Sequence, residues 1–406
     1  MPIAQAKYDS PGVYRSKVSV APQPVLETAV PGFVGFAGAG NGINFNQPVR
    51  LTHKNQLAAF ATAGDAGSPR YLMDAVTGFF DNGGVRCYVV PVDPGQQQIN
   101  GLIKAIDALA PLDDIDLVAV PDAVALRTEA QAIDKDGILR VQGEVLSHCA
   151  RQANRFAILD SFPGAGVEEV KTQAKLLVLG QREPLNGALY FPWLWVAKAA
   201  PSPAQTTPAA APSRTQPPCG HVAGIYRRSD DNIGVFKAPA NEELFGVLDL
   251  ESQIDNHVQR DLNSARVNCL RAFPGRGIRV WGARTLGSAS AAGDPWAYVN
   301  VRRLFLTVRR WIDLNMGWVT FEPNDARLWI RIQRELTAYL GRLQSRGALQ
   351  GNTPAEAFYV KCDAENNPPD QQGEGRVVVE IGLAPLSPAE FIFVEIVLSA
   401  AGASIN

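Results

Sequence analysis

The chain has 406 residues, 46% of them hydrophobic and 19% charged, with a formal net charge of -2 at pH 7. That is enough for two or three domains with sizeable cores, and it supplies no global positive field to hold a polyphosphate backbone, so nucleic acid is not an expected partner. The five cysteines, Cys87, Cys149, Cys219, Cys269 and Cys362, form no C-x-x-C pair and point to a reducing cytoplasm. Met1 to Lys7 has no signal-peptide core and no apolar run is long enough to cross a bilayer, so no membrane insertion is expected.

Residues 1–26 carry Pro2, Pro11, Pro22 and Pro24, which exclude a continuous helix, while Val13 to Val20 favours an extended strand. This reads as an arm. Next come a strand at Phe33–Phe36, a glycine-rich loop at Gly38–Gly42, a helix at Tyr71–Phe80 and a buried strand at Arg86–Val92. The alternation continues with a helix at Ile99–Ala110, a strand at Asp116–Val120, a helix around Val141–Asn154, a strand at Phe156–Asp160 and a helix at Val167–Leu179. A further strand is expected at Ala188–Val196. Strands separated by helices imply an α/β layer with a mostly parallel sheet.

The span 199–218 is almost entirely Ala, Pro, Ser, Thr and Gln and is expected to be a mobile surface loop. The last third predicts helices at Trp296–Trp311 and Asn324–Arg346, then strands at Ala357–Lys361, Arg376–Leu383 and Glu390–Leu398, an α+β module. In the second helix Leu328, Ile332, Leu336, Tyr339 and Leu343 form one apolar stripe, and Arg327, Arg331, Arg334 and Arg342 line a flank of the other side.

Catalytic signals are weak. Gly38, Gly40 and Gly42 follow a strand but lack the G-x-G-x-x-G spacing and a following helix; Pro274-Gly275-Arg276-Gly277 lacks a P-loop lysine and hydroxyl. Both read as turns. His53, His148, His221 and His257 sit in no metal-ligand motif. Cys219-Gly220-His221, at the edge of the flexible loop, is the nearest approach to a ligand pair. No catalytic, cofactor or metal residues are assigned. The residues alone therefore describe an α/β protein whose extended arm and apolar C-terminal strand suit strand exchange between subunits.

Ser10-Pro11-Gly12-Val13-Tyr14, Asn82-Gly83-Gly84-Val85-Arg86-Cys87-Tyr88 and Gly220-His221-Val222-Ala223-Gly224-Ile225-Tyr226 form an ordered series with the long block Arg271 to Leu286. Tyr298 to Phe305, Phe321-Glu322-Pro323-Asn324-Asp325, Thr353 to Phe358 and Pro388 to Phe391 complete it. Together they resemble contractile tail sheath proteins of phages and phage-tail-like injection systems.

The resemblance implies a subtilisin-like α/β middle domain and a C-terminal α+β domain completed by strands from neighbouring subunits. On this chain that gives an arm over 1–26, an α/β domain over 27–270 and a C-terminal domain over 271–406. Val13, Tyr14, Val18 and Val20 would then be donor residues, as would Phe391, Phe393 and Ile396, with Val377, Val379 and Ile381 on the receiving edge; Arg327, Arg331, Arg334 and Arg342 would face the tube. The implied partners are further copies in stacked hexameric rings, an inner tube protein, and baseplate and terminal cap proteins, with no cofactor. Assembly would take place in the bacterial cytoplasm, within a particle that is either released or membrane-anchored. An α/β hydrolase-like or nucleotide-binding enzyme is the alternative.

Overall fold

The computed structural model describes residues 26–38, 44–60, 71–95, 98–179, 185–197, 213–287, 295–390, 396–399 and 402–405. In chain order the first half contains β1 (Pro31–Phe36), β2 (Val49–Leu51), α1 (Leu72–Asp81), β3 (Cys87–Val92), α2 (Gln98–Asp107), β4 (Leu117–Ala119), α3 (Lys135–Gln152), β5 (Phe156–Asp160), α4 (Val167–Leu179) and β6 (Gly187–Phe191). There follow β7 (Leu194–Ala197), β8 (Ser213–Gln216), α5 (Cys219–Asn232), β9 (Asp249–Leu250), α6 (Asn256–Ser264), β10 (Val267–Phe273) and β11 (Gly277–Trp281). The last part contains α7 (Val299–Asn315), α8 (Ala326–Ser345), α9 (Pro354–Ala357), β12 (Phe358–Lys361), α10 (Pro369–Gly373), β13 (Glu380–Leu383), β14 (Ile396–Ser399) and β15 (Gly402–Ile405).

Eight strands form the main sheet in the order β11-β10-β6-β5-β4-β1-β3-β2. The six inner strands are parallel, and β2 and β11 close the two edges antiparallel. Parallel strands need covering on both faces. Leu102, Ile106, Ile138, Val141, Val170 and Leu262, from α2, α3, α4 and α6, pack on one face; Leu72, Phe79, Val222, Ile225 and Val299, from α1, α5 and α7, pack on the other. The expected mixed α/β layer is thus observed, and the β1, β3, β4 and β5 strands fall where the apolar runs place them.

Three expectations are corrected. The helix expected around Val141 begins at Lys135, because Asp134 caps it by accepting the Gly137 N–H at 2.9 Å. The single strand expected over Ala188–Val196 is two: β6 stays in the main sheet, whereas β7 pairs with β8 and β9 in a separate three-stranded sheet. The loop expected over 199–218 ends early, since Ser213–Gln216 pairs with β7 and Cys219 already opens α5; residues 198–212 lie outside the described residues.

A third core lies in the last part of the chain, where Leu304, Val308 and Trp311 of α7 meet Leu328, Trp329, Ile332, Leu336, Tyr339, Leu340 and Leu343 of α8, with Phe358 of β12. Trp311 and Tyr339 stack with centroids 3.9 Å apart. Asp325 starts α8 by accepting the Arg327 and Leu328 N–H groups. Among the described residues no helix is long and apolar enough to cross a membrane.

Candidate functional site

The motifs weighed above as chemistry resolve into packing. Gly220 and Gly224 of α5 face α1, where an added Cβ would lie 2.0 Å from the Ala75 carbonyl oxygen and 2.5 Å from that of Phe79. Two glycines one helical turn apart therefore let the helices approach backbone to backbone. His221 is buried against Gly78 of α1, and Cys219 is buried beside Asp160 of β5, whose Oδ1 accepts its N–H at 2.8 Å, so neither lies at the edge of a loop, which corrects the reading of Cys219-Gly220-His221. Burial lowers the His221 pKa to about 4. His148 also falls to about 4, through burial and then the positive charge of Arg155, whose Nη1 lies 2.9 Å from its Nε2. Pro274-Gly275 is the turn joining β10 to β11, with Phe273 C=O accepting the Arg276 N–H at 3.0 Å and Gly275 at φ 71°. Gly38 donates to Phe60 C=O, and Gly40 and Gly42 lie outside the described residues.

The last third holds a further, smaller sheet. β12 and β13 form a two-stranded antiparallel sheet, with Tyr359 opposite Gly382 and Lys361 opposite Glu380. Ala384 N–H donates to Ala357 C=O at 2.9 Å, so the ladder alternation makes Tyr359–Gly382 and Lys361–Glu380 the hydrogen-bonded pairs. Residues 381 and 383, and by continuation 377 and 379, therefore turn their backbone groups to the far edge while their side chains pack on the third core.

The near edge is occupied along its length. Asn367, fully buried, receives the Val378 N–H on Oδ1 at 2.6 Å and donates Nδ2 to Val378 C=O at 3.0 Å, and Gln350 N–H donates to Ala384 C=O at 2.7 Å. The outer edge of β12 is also used, because Phe358 N–H returns to Pro354 C=O and Val360 C=O accepts Gln333 Nε2 of α8. Among the described residues this leaves the outer side of Val377, Val379, Ile381 and Leu383 as the open edge of this sheet.

The strand expected over Arg376–Leu383 is thereby corrected: the ladder starts at Glu380, because Asn367 takes the backbone of Val378 in place of β12. Of the other exchange candidates, Val13, Tyr14, Val18, Val20, Phe391 and Phe393 lie outside the described residues, and Ile396 begins β14, which pairs antiparallel with β15.

Arg327, Arg331, Arg334 and Arg342 are all exposed on α8. At 100° per residue they span about 80° of the helix circumference, and exposed Ile330 and Thr337 continue the solvent face on one side of them only, so they line a flank of that face. Arg331 stacks 3.9 Å from the Trp318 ring, and Trp318 Nε1 donates to Glu335. Arg327 and Arg331 are four residues apart at the positive end of the helix dipole, with Arg334 one turn on. That arrangement costs a few tenths of a kcal/mol per like-charged pair, so helix stability does not explain it. The sequence reading missed Phe321, which stands fully exposed at φ 70° just before the Asp325 cap. A bulky residue in the left-handed region without burial to hold it is a local strain.

The body beneath is joined to the third core by buried charge. Arg303 of α7, only 2% exposed, holds Asp230 at 2.9 and 2.6 Å and lies 3.5 Å from Asp116. Burial opposes its charge, yet these carboxylates hold its pKa above the ordinary arginine value. Asp116 also accepts the Ala29 and Val30 N–H groups.

Comparison with known proteins places this architecture. The family model described as phage tail sheath protein central domain matches residues 100–286, and that described as phage tail sheath C-terminal domain matches residues 291–399. The structure is similar to the anti-feeding prophage helical sheath in its contracted state, with 29% identity, a TM-score of 0.72, and 96% of this chain and 99% of that one covered. It is also similar to the PVC sheath complex of an extracellular contractile injection system in its contracted state, with 26% identity, a TM-score of 0.71, and 98% and 99% covered. The tail sheath protein of Salmonella phage ViI is 26% identical over 182 residues, 44% of this chain but 27% of that protein, so the chain spans about a quarter of that curated relative. The two family models together take in the greater part of the sequence, and the parallel-rich sheet with its helical C-terminal part follows sheath structures over nearly their whole length: the chain belongs to the phage tail sheath protein family.

Proposed function

We propose that this chain is a non-enzymatic structural subunit of a contractile sheath, which polymerises as stacked hexameric rings around an inner tube and contracts to drive that tube through a target envelope. The observation that carries the reading is the open outer edge of β13. Val377, Val379, Ile381 and Leu383, along this edge and its continuation before β13, each offer one N–H and one C=O. At about 0.5–1.5 kcal/mol net per bond, a donated strand gains roughly 4–12 kcal/mol before the cost of ordering it. One strand is a modest link, and the same link repeated through a ring holds every subunit while the bodies rotate and repack.

In this reading the donors are Val13, Tyr14, Val18 and Val20 of the arm, and Phe391, Phe393 and Ile396 of the C-terminal segment, from neighbouring copies. The receiving residues Val377, Val379 and Ile381 contribute their backbone, since their side chains serve the third core. The parallel layer serves as the subtilisin-like body of the domain over 27–270, and the third core belongs to the C-terminal domain over 271–406. The basic face of α8, with Phe321 at its end, is the surface that meets the inner tube. Baseplate and cap proteins terminate the polymer, which assembles in the bacterial cytoplasm.

Negative-stain electron microscopy of the purified chain, with and without residues 1–20, tests this reading. The full chain is expected to form striated cylinders and the shortened chain to remain a folded, dispersed subunit. Regular cylinders from the shortened chain would contradict arm donation, and discrete particles with nucleotide-dependent melting from the full chain would favour an enzyme.

A further inference from the structure

The described residues next to the two segments proposed above as donors carry matching constructions. Glu27 lies two residues before the backbone enters the Asp116 hold, and its carboxylate meets Arg86 Nη2 at 2.7 Å and Arg227 Nη1 at 3.1 Å. Arg310 of α7 takes the Glu27 C=O at 3.1 Å, and Arg227 takes that of Thr28 at 2.9 Å. At the other end, Glu390 is gripped in bidentate fashion by Arg284, through Nε at 2.9 Å and through Nη2.

Arg284 is itself fixed before it binds. The buried Asn268 side chain accepts its N–H at 2.6 Å and donates to its C=O at 2.7 Å, and Tyr298 lies under its guanidinium at 4.7 Å. A preset guanidinium fork facing a carboxylate is among the stronger and more directional polar contacts a protein can make. Upstream of Glu390 the next backbone hold is Leu386 C=O, which accepts Asn300 Nδ2 at 3.1 Å.

We infer that Glu390 with Arg284, and Glu27 with Arg86 and Arg227, are positioning pairs that fix the residue at which each donated strand leaves the body, and so set the strand's reach. The inference rests on the sheath reading for its consequence, but the anchors themselves belong to the isolated chain. Release of Glu390 lets the departure point slip back to Leu386, four residues or up to about 14 Å of added reach; release of the Glu27 carboxylate adds little reach, because Arg310 still holds the Glu27 C=O and Arg227 that of Thr28. The C-terminal anchor therefore has the larger effect. A longer tether transmits less of one subunit's displacement to the next.

The test uses the full chain as wild type, as Glu390→Gln, and as the swapped pair Arg284→Glu with Glu390→Arg. Hydrogen exchange of the isolated chain is expected to be at least tenfold faster at the Ser387, Ala389 and Glu390 amides in Glu390→Gln and to return toward wild type in the swapped pair. In assembled cylinders, Glu390→Gln is expected to polymerise and to shorten less completely in mild denaturant, with the swapped pair again restoring the wild-type response. Unchanged exchange in Glu390→Gln, or loosened exchange with wild-type shortening, would overturn the inference. Failure of the wild-type chain to form cylinders would instead overturn the sheath reading, and the exchange comparison would still decide whether Glu390 is the anchor.

Discussion

Asn367 is paired with Val378 as one strand is paired with another, its single side-chain amide meeting both backbone groups of that residue at 2.6 and 3.0 Å. The same device recurs at Asn268 with Arg284 and at Asn82 with Phe245, each a fully buried asparagine whose side-chain amide meets both backbone groups of one residue. Asn367→Ala leaves the half-buried Val378 N–H and C=O without their partner, which costs up to about 2–6 kcal/mol at roughly 1–3 per group. Urea unfolding is expected to show that loss together with faster exchange at the Val378 amide. Stability within 0.5 kcal/mol of wild type would mean that the site rearranges or admits water; here about 0.5 kcal/mol is the scatter of an ordinary surface change.

Gly220→Ala is expected to destabilise by about 1–3 kcal/mol or more, because the new methyl meets α1 backbone that cannot yield as a side chain does. Gly341→Ala provides the contrast. On α8 its Cβ would meet nothing within 4 Å, so replacing glycine in a helix interior should stabilise by up to about 1 kcal/mol. Thermal unfolding of the two variants should move in opposite directions, and equal shifts would refute the packing account of Gly220.

What the sequence shows and what it hides follow from periodicity. β1, β3, β4 and β5 are short apolar runs buried on both faces, and the α8 stripe from Leu328 to Leu343 repeats at helical spacing, so both were legible. α5 was not: its first eight residues are buried all round, leaving no polar face to mark a period, and its glycines resemble loop residues. The open edge of β13 was legible as apolar alternation at 377, 379 and 381. Its one-sidedness was not, because it depends on Asn367, Gln350 and Gln333, which reach it only once the chain is folded.

The two buried histidines make stability acid-sensitive. Each has a folded pKa of about 4 against 6.5 when unperturbed, so its contribution is complete above pH 6.5 and is lost as pH falls toward 4, by up to about 3 kcal/mol each. Asp122 and Asp160, raised to about 7 by burial, act in the opposite sense over this range, so the comparison with a variant carries the test. His148→Gln retains an acceptor for Arg155. Its deficit relative to wild type at pH 7 should shrink or reverse by pH 4.5 in urea unfolding, and a pH-independent deficit would show that His148 does not titrate on unfolding.

The α8 surface separates assembly from folding. Arg334→Glu and Phe321→Ser should each leave the isolated subunit within about 0.5 kcal/mol of wild type, since neither side chain is buried. Arg331→Glu combined with Arg334→Glu should weaken tube-templated assembly, with the deficit growing as salt is lowered. Unchanged co-sedimentation with the inner tube protein at low salt would return this face to simple solvation.

The central claim is that subunits are joined by a strand laid on the outer edge of β13, and Val379→Pro tests it most directly. Proline removes an N–H that points to that edge and is not needed by the β12 ladder, and its ring still offers an apolar surface to the third core. Circular dichroism and thermal unfolding of the isolated variant first establish that it folds, with Val379→Ala as the control for lost side-chain packing. Electron microscopy of the three proteins under identical conditions then gives the answer. The account predicts cylinders from wild type and Val379→Ala, and only dispersed, folded subunits from Val379→Pro; regular cylinders from the folded proline variant would contradict it.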